Sequence, residues 1–185
     1  MPIYSSFPAN GRTYKFGDLY FIIELSHYHI IQLANFASMI WHKDDYTIST
    51  DKTALSLEYI HQYLSEQSYW AKGIPLHTVK KSIEGSMCFG IYKGAQMVGF
   101  ARVITDNATF GYLADVFIDE ACRGQGLSKW LMEVILSHPD LQGLRRFMLA
   151  TRDAHGLYRQ FDFKELPNPE YMLAIVNPDI YKSIS

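Results

Sequence analysis

The sequence predicts an α/β (α+β) domain, built as a mixed, mostly antiparallel sheet flanked by helices. Three observations carry the prediction. Apolar residues recur at helical spacing in the first half, three strand-like runs then follow one another with turn residues between them, and a last strand enters an apolar helix through a glycine-rich turn. With 185 residues, 48% of them hydrophobic and only 19% charged, the chain has the length and apolar content to bury a core.

The elements follow in order. Pro2, Pro8, Gly11 and Gly17 mark residues 1–18 as an irregular arm. Ile30, Leu33, Ala34, Ala37, Ile40 and Trp41 then predict an amphipathic helix over 27–41. Residues 1–45 therefore read as an N-terminal extension, covering the core or supporting a homodimer, and 46–185 as the domain proper. YTISTD, from Tyr46 to Asp51, predicts a strand, and Ser56 caps a helix carrying Ile60, Tyr63 and Leu64. In PLHTVKKSIEG a proline opens and Gly85 closes a short helix with Leu76, Val79 and Ile83 on one face. SMCFGIYK, QMVGFARVIT and ATFGYLADVFI form an antiparallel meander. A helix from Gln125 to Ser137 ends at His138 and Pro139, a strand follows over 144–151 and a helix over 154–161, and FKEL and YMLAIV read as closing strands.

Composition narrows the function classes. A formal net charge of -2 exerts no long-range pull on nucleic acid or anionic lipid. The most membrane-like run, LYFIIEL, is interrupted by Glu24 and is far shorter than the ~20 apolar residues of a spanning helix. Cys88 and Cys122 stand far apart without CxxC spacing, and His27, His29, His42, His61, His77 and His138 show no ligand pattern, so neither a disulfide framework nor a metal is expected. A reducing, cytoplasmic setting fits.

ACRGQGLSKWL, from Ala121 to Leu131, raises a question of its own. Two glycines at a helix entrance cost backbone entropy, yet they leave several N–H groups bare at the positive end of the helix dipole, where an anion binds. The P-loop pattern GxxxxGK[ST] is absent, and Lys129 occupies the place of the third glycine in a dinucleotide GxGxxG, which argues against a nucleotide-binding oxidoreductase. Arg123 to Ser128 instead resembles the pyrophosphate loop, [Q/R]xxGx[G/A], of the GNAT superfamily of acetyl-CoA-dependent N-acetyltransferases. VFIDEACRGQGLSKWLMEVIL is similar to that family's strand, turn and helix, and ATRDAHGLYRQFDF to its later strand and helix. The resemblance spans roughly residues 46–176. Ser128 replaces the usual glycine or alanine, and Asp162 replaces a glycine, which at a turn suggests a left-handed or capped residue.

The resemblance implies the fold, acetyl-CoA as cosubstrate without a metal, and direct acetyl transfer in a ternary complex to a primary amine of a small molecule or peptide. It also implies a cleft between the family's fourth and fifth strands. There the backbone of Val116, Phe117 and Ile118 would bond the pantetheine arm, and the amides of Arg123, Gly124, Gln125, Gly126, Leu127 and Ser128 the pyrophosphate. Thr151 takes the place of an asparagine that bonds the cofactor; its hydroxyl fits that role or a helix cap, and Asp153 is the stronger cap candidate. Tyr158 takes the place of a tyrosine near the sulfur, as a hydrogen-bond donor to the leaving thiolate. An alkylammonium of pKa about 10.4 must lose a proton before attack. Asp115, with Leu113 and Phe117 as its same-face neighbours by alternation, is read either as the base or as a carboxylate paired with Arg102 or orienting substrate. Tyr69 and Trp70 fit an acceptor wall or, more commonly for aromatics, the core. A non-catalytic acyl-CoA-binding domain would keep RGQGLS and need neither Asp115 nor Tyr158.

Overall fold

In the computed structural model, which describes residues 38–181, six strands hydrogen-bond in the order β1-β2-β3-β4-β5-β6. They are β1 (Ile40–Lys43), β2 (Tyr46–Ser49), β3 (Met87–Lys93), β4 (Gln96–Thr105), β5 (Phe110–Ile118) and β6 (Arg146–Leu149). Neighbours run antiparallel except β5 and β6, which are parallel. A parallel pair needs a crossover, and α3 (Leu127–Ser137) supplies it. The remaining helices are α1 (Leu57–Gln62), continued by a π turn over Tyr63–Gln67, α2 (Leu76–Glu84) and the short α4 (His155–Tyr158).

The first strand corrects the sequence reading. Ile40 and Trp41, expected at the end of a helix over 27–41, lie in β1 and pair with Ser49 and Ile48, so the sheet begins before residue 46. Asp44, at φ 52°, turns the chain between them; a short polar side chain tolerates the left-handed region better than most. Helical spacing and a short hairpin strand share the same apolar residues here, and pairing with β2 decides. The rest of that expected helix, up to residue 37, lies outside the described residues.

Helices cover both faces of the sheet. On one face Leu127, Leu131, Val134 and Ile135 of α3 meet Ile48, Phe89, Ile91 and Val103. On the other, Ile60, Leu64, Val79 and Ile83 meet Cys88, Met97, Phe100 and Phe117. Each fully buried aliphatic or aromatic side chain contributes about 1.5–3 kcal/mol relative to exposure, so the two layers hold the sheet from both sides. Ser56 caps α1 by accepting from the Tyr59 amide, and Gly85 ends α2, both as the sequence predicts.

Two details of β5 matter for the site. Arg102 pairs with Ala114 and Phe100 with Phe117, so Asp115 and Val116 together oppose the single residue Ala101: a β-bulge, with Asp115 at φ 53°. The bulge reverses the alternation. Leu113 packs in the α3 layer and Phe117 in the α1–α2 layer, so they are not the same-face pair that strict alternation predicts. On its other side, β5 pairs with β6 only as far as Leu113–Leu149. Beyond that point the two strands are unpaired.

FKEL and YMLAIV form no strands. Pro167 and Pro169 separate them, Pro169–Tyr171 is a 3-10 turn, and Leu173, Ile175 and Val176 lie exposed without a ladder partner. Their pattern suits a strand, but a strand also needs an edge to pair with. No helix among the described residues is long and apolar enough to cross a membrane.

His138 ties β1 to the end of α3. Its ring is 6.1 Å from that of Trp41 and 5.8 Å from that of Phe89, and its Nδ1 accepts from the Asp140 amide at 3.3 Å. Burial lowers its pKa below the ordinary 6.5, with the Asp140 charge opposing. The unfolded chain therefore takes up a proton near pH 6.5 that the folded chain resists. This contribution is full above that pH and declines as pH falls below it. Melting temperatures at about pH 5.5 and about pH 7.5 should show a drop on acidification that His138→Phe diminishes; an equal drop in the variant would exclude His138 as its source.

Candidate active site

The site grows from the unpaired half of β5. The Asp115 carboxylate is held on both oxygens: Oδ2 accepts from Arg102 Nε at 2.6 Å and Oδ1 from the Trp70 indole Nε1 at 3.0 Å. Arg102 Nη1 donates to Ser86 Oγ at 3.2 Å, joining the turn between α2 and β3 to the bulge. Side-chain exposure is only 16% for Arg102 and 9% for Asp115, so a low-dielectric surrounding strengthens the pair. The ion pair with Arg102 that one reading of Asp115 expects is formed.

Trp70 and Tyr69 are not core residues. They stand 41% and 43% exposed, with ring centroids 5.0 Å apart in an edge-on arrangement. Tyr69 OH accepts from the Arg152 amide at 3.0 Å, and the Arg152 guanidinium lies 3.7 Å from the centre of the Tyr69 ring. The aromatic pair thus joins the β5 bulge to the loop after β6. Two adjacent aromatics just before the turn residues Gly73 and Pro75 were the available sequence signal; aromatic content alone points to the core.

The glycine turn has the geometry its sequence implies. Gly124 and Gly126 both have φ 76°, a region that L side chains avoid, and a Cβ on either would meet no atom within 4 Å. The amides of Gly124 to Ser128 donate to no group among the described residues. A cavity of about 490 Å³ opens beside them, lined by Ile118, Arg123, Gly124, Gly126, Ser128 and Leu157. The Arg123 side chain turns away: Nε donates to the Ile118 carbonyl at 3.2 Å and Nη2 to Tyr63 OH at 3.1 Å. Tyr63 in turn stacks on Phe117 with centroids 3.7 Å apart, and Tyr46 OH donates to Gln125 Oε1 at 2.9 Å. The turn is therefore braced from both layers of the fold.

Tyr158 is buried, packs edge-on against Phe163 at 6.0 Å, and its hydroxyl bonds to no group among the described residues. Burial, then the neighbouring Tyr69 and Asp153, push its pKa up to about 12, so the phenol stays protonated at neutral pH. Asp162 has φ 63°, the left-handed residue its position suggests, and it lets the Phe163 amide return to the Tyr158 carbonyl at 3.3 Å. Thr151 Oγ1 accepts from the Ala154 amide at 3.0 Å just before α4, which has no side-chain cap, and the expected cap Asp153 instead lies 4.0 Å from Arg152. Thr151 and Tyr158 share a second cavity, of about 290 Å³. No group of three or more His, Cys, Asp or Glu among the described residues could hold a metal.

The fold and the open strand pair beside a bare-amide turn define a class of acyl-group transferases, and comparison with known proteins narrows it. The Acetyltransferase (GNAT) family matches residues 57–163. A candidate acetyltransferase of Gibberella zeae is 33% identical over 153 residues, 66% of this chain and 85% of that protein. The crystal structure of a candidate GNAT-family acetyltransferase from Xanthomonas campestris pv. campestris superposes with a TM-score of 0.73 at 46% identity, covering 77% of this chain and 99% of that one. One from Deinococcus radiodurans R1 shares the fold, with a TM-score of 0.58 at 16% identity over 78% of this chain and 95% of its own. The chain belongs to the GNAT family of acetyltransferases. That family implies acetyl-CoA as the cosubstrate.

Proposed function

We propose that the protein transfers the acetyl group of acetyl-CoA to a primary amine of a small molecule or peptide by direct attack in a ternary complex. The observation that carries this reading is the conjunction of an unpaired β5 edge after Leu113 with free amides at Gly124 to Ser128. The backbone of Val116, Phe117 and Ile118 takes the pantetheine amides in place of a neighbouring strand. The turn takes the pyrophosphate; each charge-assisted hydrogen bond is worth about 1.5–3 kcal/mol net, so several suffice without a basic patch. The Thr151 hydroxyl, which accepts from Ala154, retains a proton to donate to the cofactor.

In the chemical step the amine nitrogen attacks the thioester carbonyl carbon, the C–S bond breaks, and the electron pair leaves on sulfur. The Tyr158 phenol donates a hydrogen bond to that thiolate. Full transfer runs uphill from a phenol raised to about 12 to a thiolate of ordinary pKa about 8.5, so donation rather than transfer is the role assigned. The proton of the attacking nitrogen passes to solvent. Asp115, with both oxygens engaged, is assigned to positioning: it fixes Trp70 and Arg102 beside the reacting centre rather than taking that proton.

Thiol release from acetyl-CoA with a panel of primary amines, together with calorimetric titration of acetyl-CoA, tests the reading. Tight binding without release to any amine would leave a binding module in its place. Gly126→Val would strain a residue at φ 76° and crowd the anion's approach. It is expected to weaken acetyl-CoA at least about tenfold. Unchanged affinity would remove the turn from the cofactor site.

A further inference from the structure

Arg152 makes little use of its charge. Its guanidinium lies face-on over Tyr69 at 3.7 Å, and its amide is fixed to the hydroxyl of the same tyrosine. Among the described residues its only carboxylate neighbour is Asp153, at 4.0 Å, and the two side chains are 68% and 62% exposed. Such a solvated pair is worth little and exchanges readily for a better anion. A cation clamped on an aromatic ring, with its forked donors open to solvent, is arranged to receive a carboxylate or phosphate.

Its place relative to the reacting groups gives that arrangement a meaning. Tyr69 carries Arg152 on its face, meets Trp70 edge-on at 5.0 Å, and is near enough to Tyr158 to raise its pKa. Trp70 in turn is anchored to Asp115 on the bulge. Between the phenol and the bulge there is thus an exposed aromatic wall with one open cation at its end. We propose that the acceptor is a small amine that also carries an anionic group, an amino carboxylate or an amino phosphate, whose anion binds Arg152 while its body lies on Tyr69 and Trp70. This rests on the acetyl-transfer reading above and adds the substrate class to it.

Matched acceptors test the proposal: phenylalanine against phenethylamine, lysine against cadaverine, and phosphoethanolamine against ethanolamine, with kcat/KM measured for the wild type, Arg152→Ala and Arg152→Lys. The wild type should prefer an anion-bearing member by about 10- to 100-fold, chiefly through KM, as expected for one or two charge-assisted hydrogen bonds. Arg152→Ala should collapse that preference, and Arg152→Lys, which keeps the charge without the fork, should restore part of it. The carboxylate and phosphate arms show which anion is read. Equal or better use of the anion-free amines by the wild type, or a preference that survives Arg152→Ala, overturns the proposal alone. Failure to acetylate any amine, with acetyl-CoA still bound, overturns the transfer reading and the proposal with it. Melting curves identify a misfolded variant, and Arg152→Gln then replaces it in the same comparison.

Discussion

Replacing Tyr158 by phenylalanine should lower kcat for acetyl transfer by about 10²–10³-fold while leaving acetyl-CoA affinity within about twofold. The ring would keep its edge-on contact with Phe163, so the variant folds, and only the hydroxyl is lost. That hydroxyl bonds to nothing else among the described residues, so its removal leaves no stranded partner to confuse the result. Since the phenol is pushed up to about 12, it remains the donor throughout the neutral and mildly alkaline range. The wild-type rate should therefore show no alkaline fall traceable to Tyr158 below about pH 10. Steady-state kinetics beside calorimetry decides the matter. A kcat near wild type in Tyr158→Phe would reduce the residue to packing.

The second large effect is on stability. Asp115→Asn keeps the size and tolerance of the left-handed region that φ 53° requires, but leaves Arg102 without its counter-ion at 16% exposure. Breaking a buried pair from one side typically costs about 3 kcal/mol, or about 10 °C in melting temperature for a domain of this size. Arg102→Met combined with Asp115→Asn should recover a good part of that loss, because no unpaired charge remains. Thermal melts of the two single variants and the double variant measure the coupling. Additive losses would show that the pair contributes no more than its separate packing. Turnover should fall in Asp115→Asn as well, since Trp70 loses a charged acceptor for its indole N–H.

Much of this was readable from the chain. The meander, the α3 entrance and the caps at Ser56 and Gly85 follow local rules of periodicity and turn chemistry, and the glycine turn announces its bare amides directly. What escaped depends on partners distant in sequence. Ile40 and Trp41 suit a helix until β2 offers them a ladder, and YMLAIV suits a strand although no edge takes it. The side-chain parity around Asp115 is lost at a bulge that alternation cannot foresee. The partners of Arg152 and Trp70 carry no local signal: one meets Tyr69 across 83 residues and the other meets Asp115 across 45.

The reversal of sides within β5 reaches further than its local geometry. A single strand that sends Leu113 into one layer and Phe117 into the other is keyed to both halves of the interior, with Asp115 at the crossing point. The bulge sits like a pin through two plates: neither can slide without turning it. The placing of Asp115 thereby becomes a shared property of both helical layers rather than of one strand.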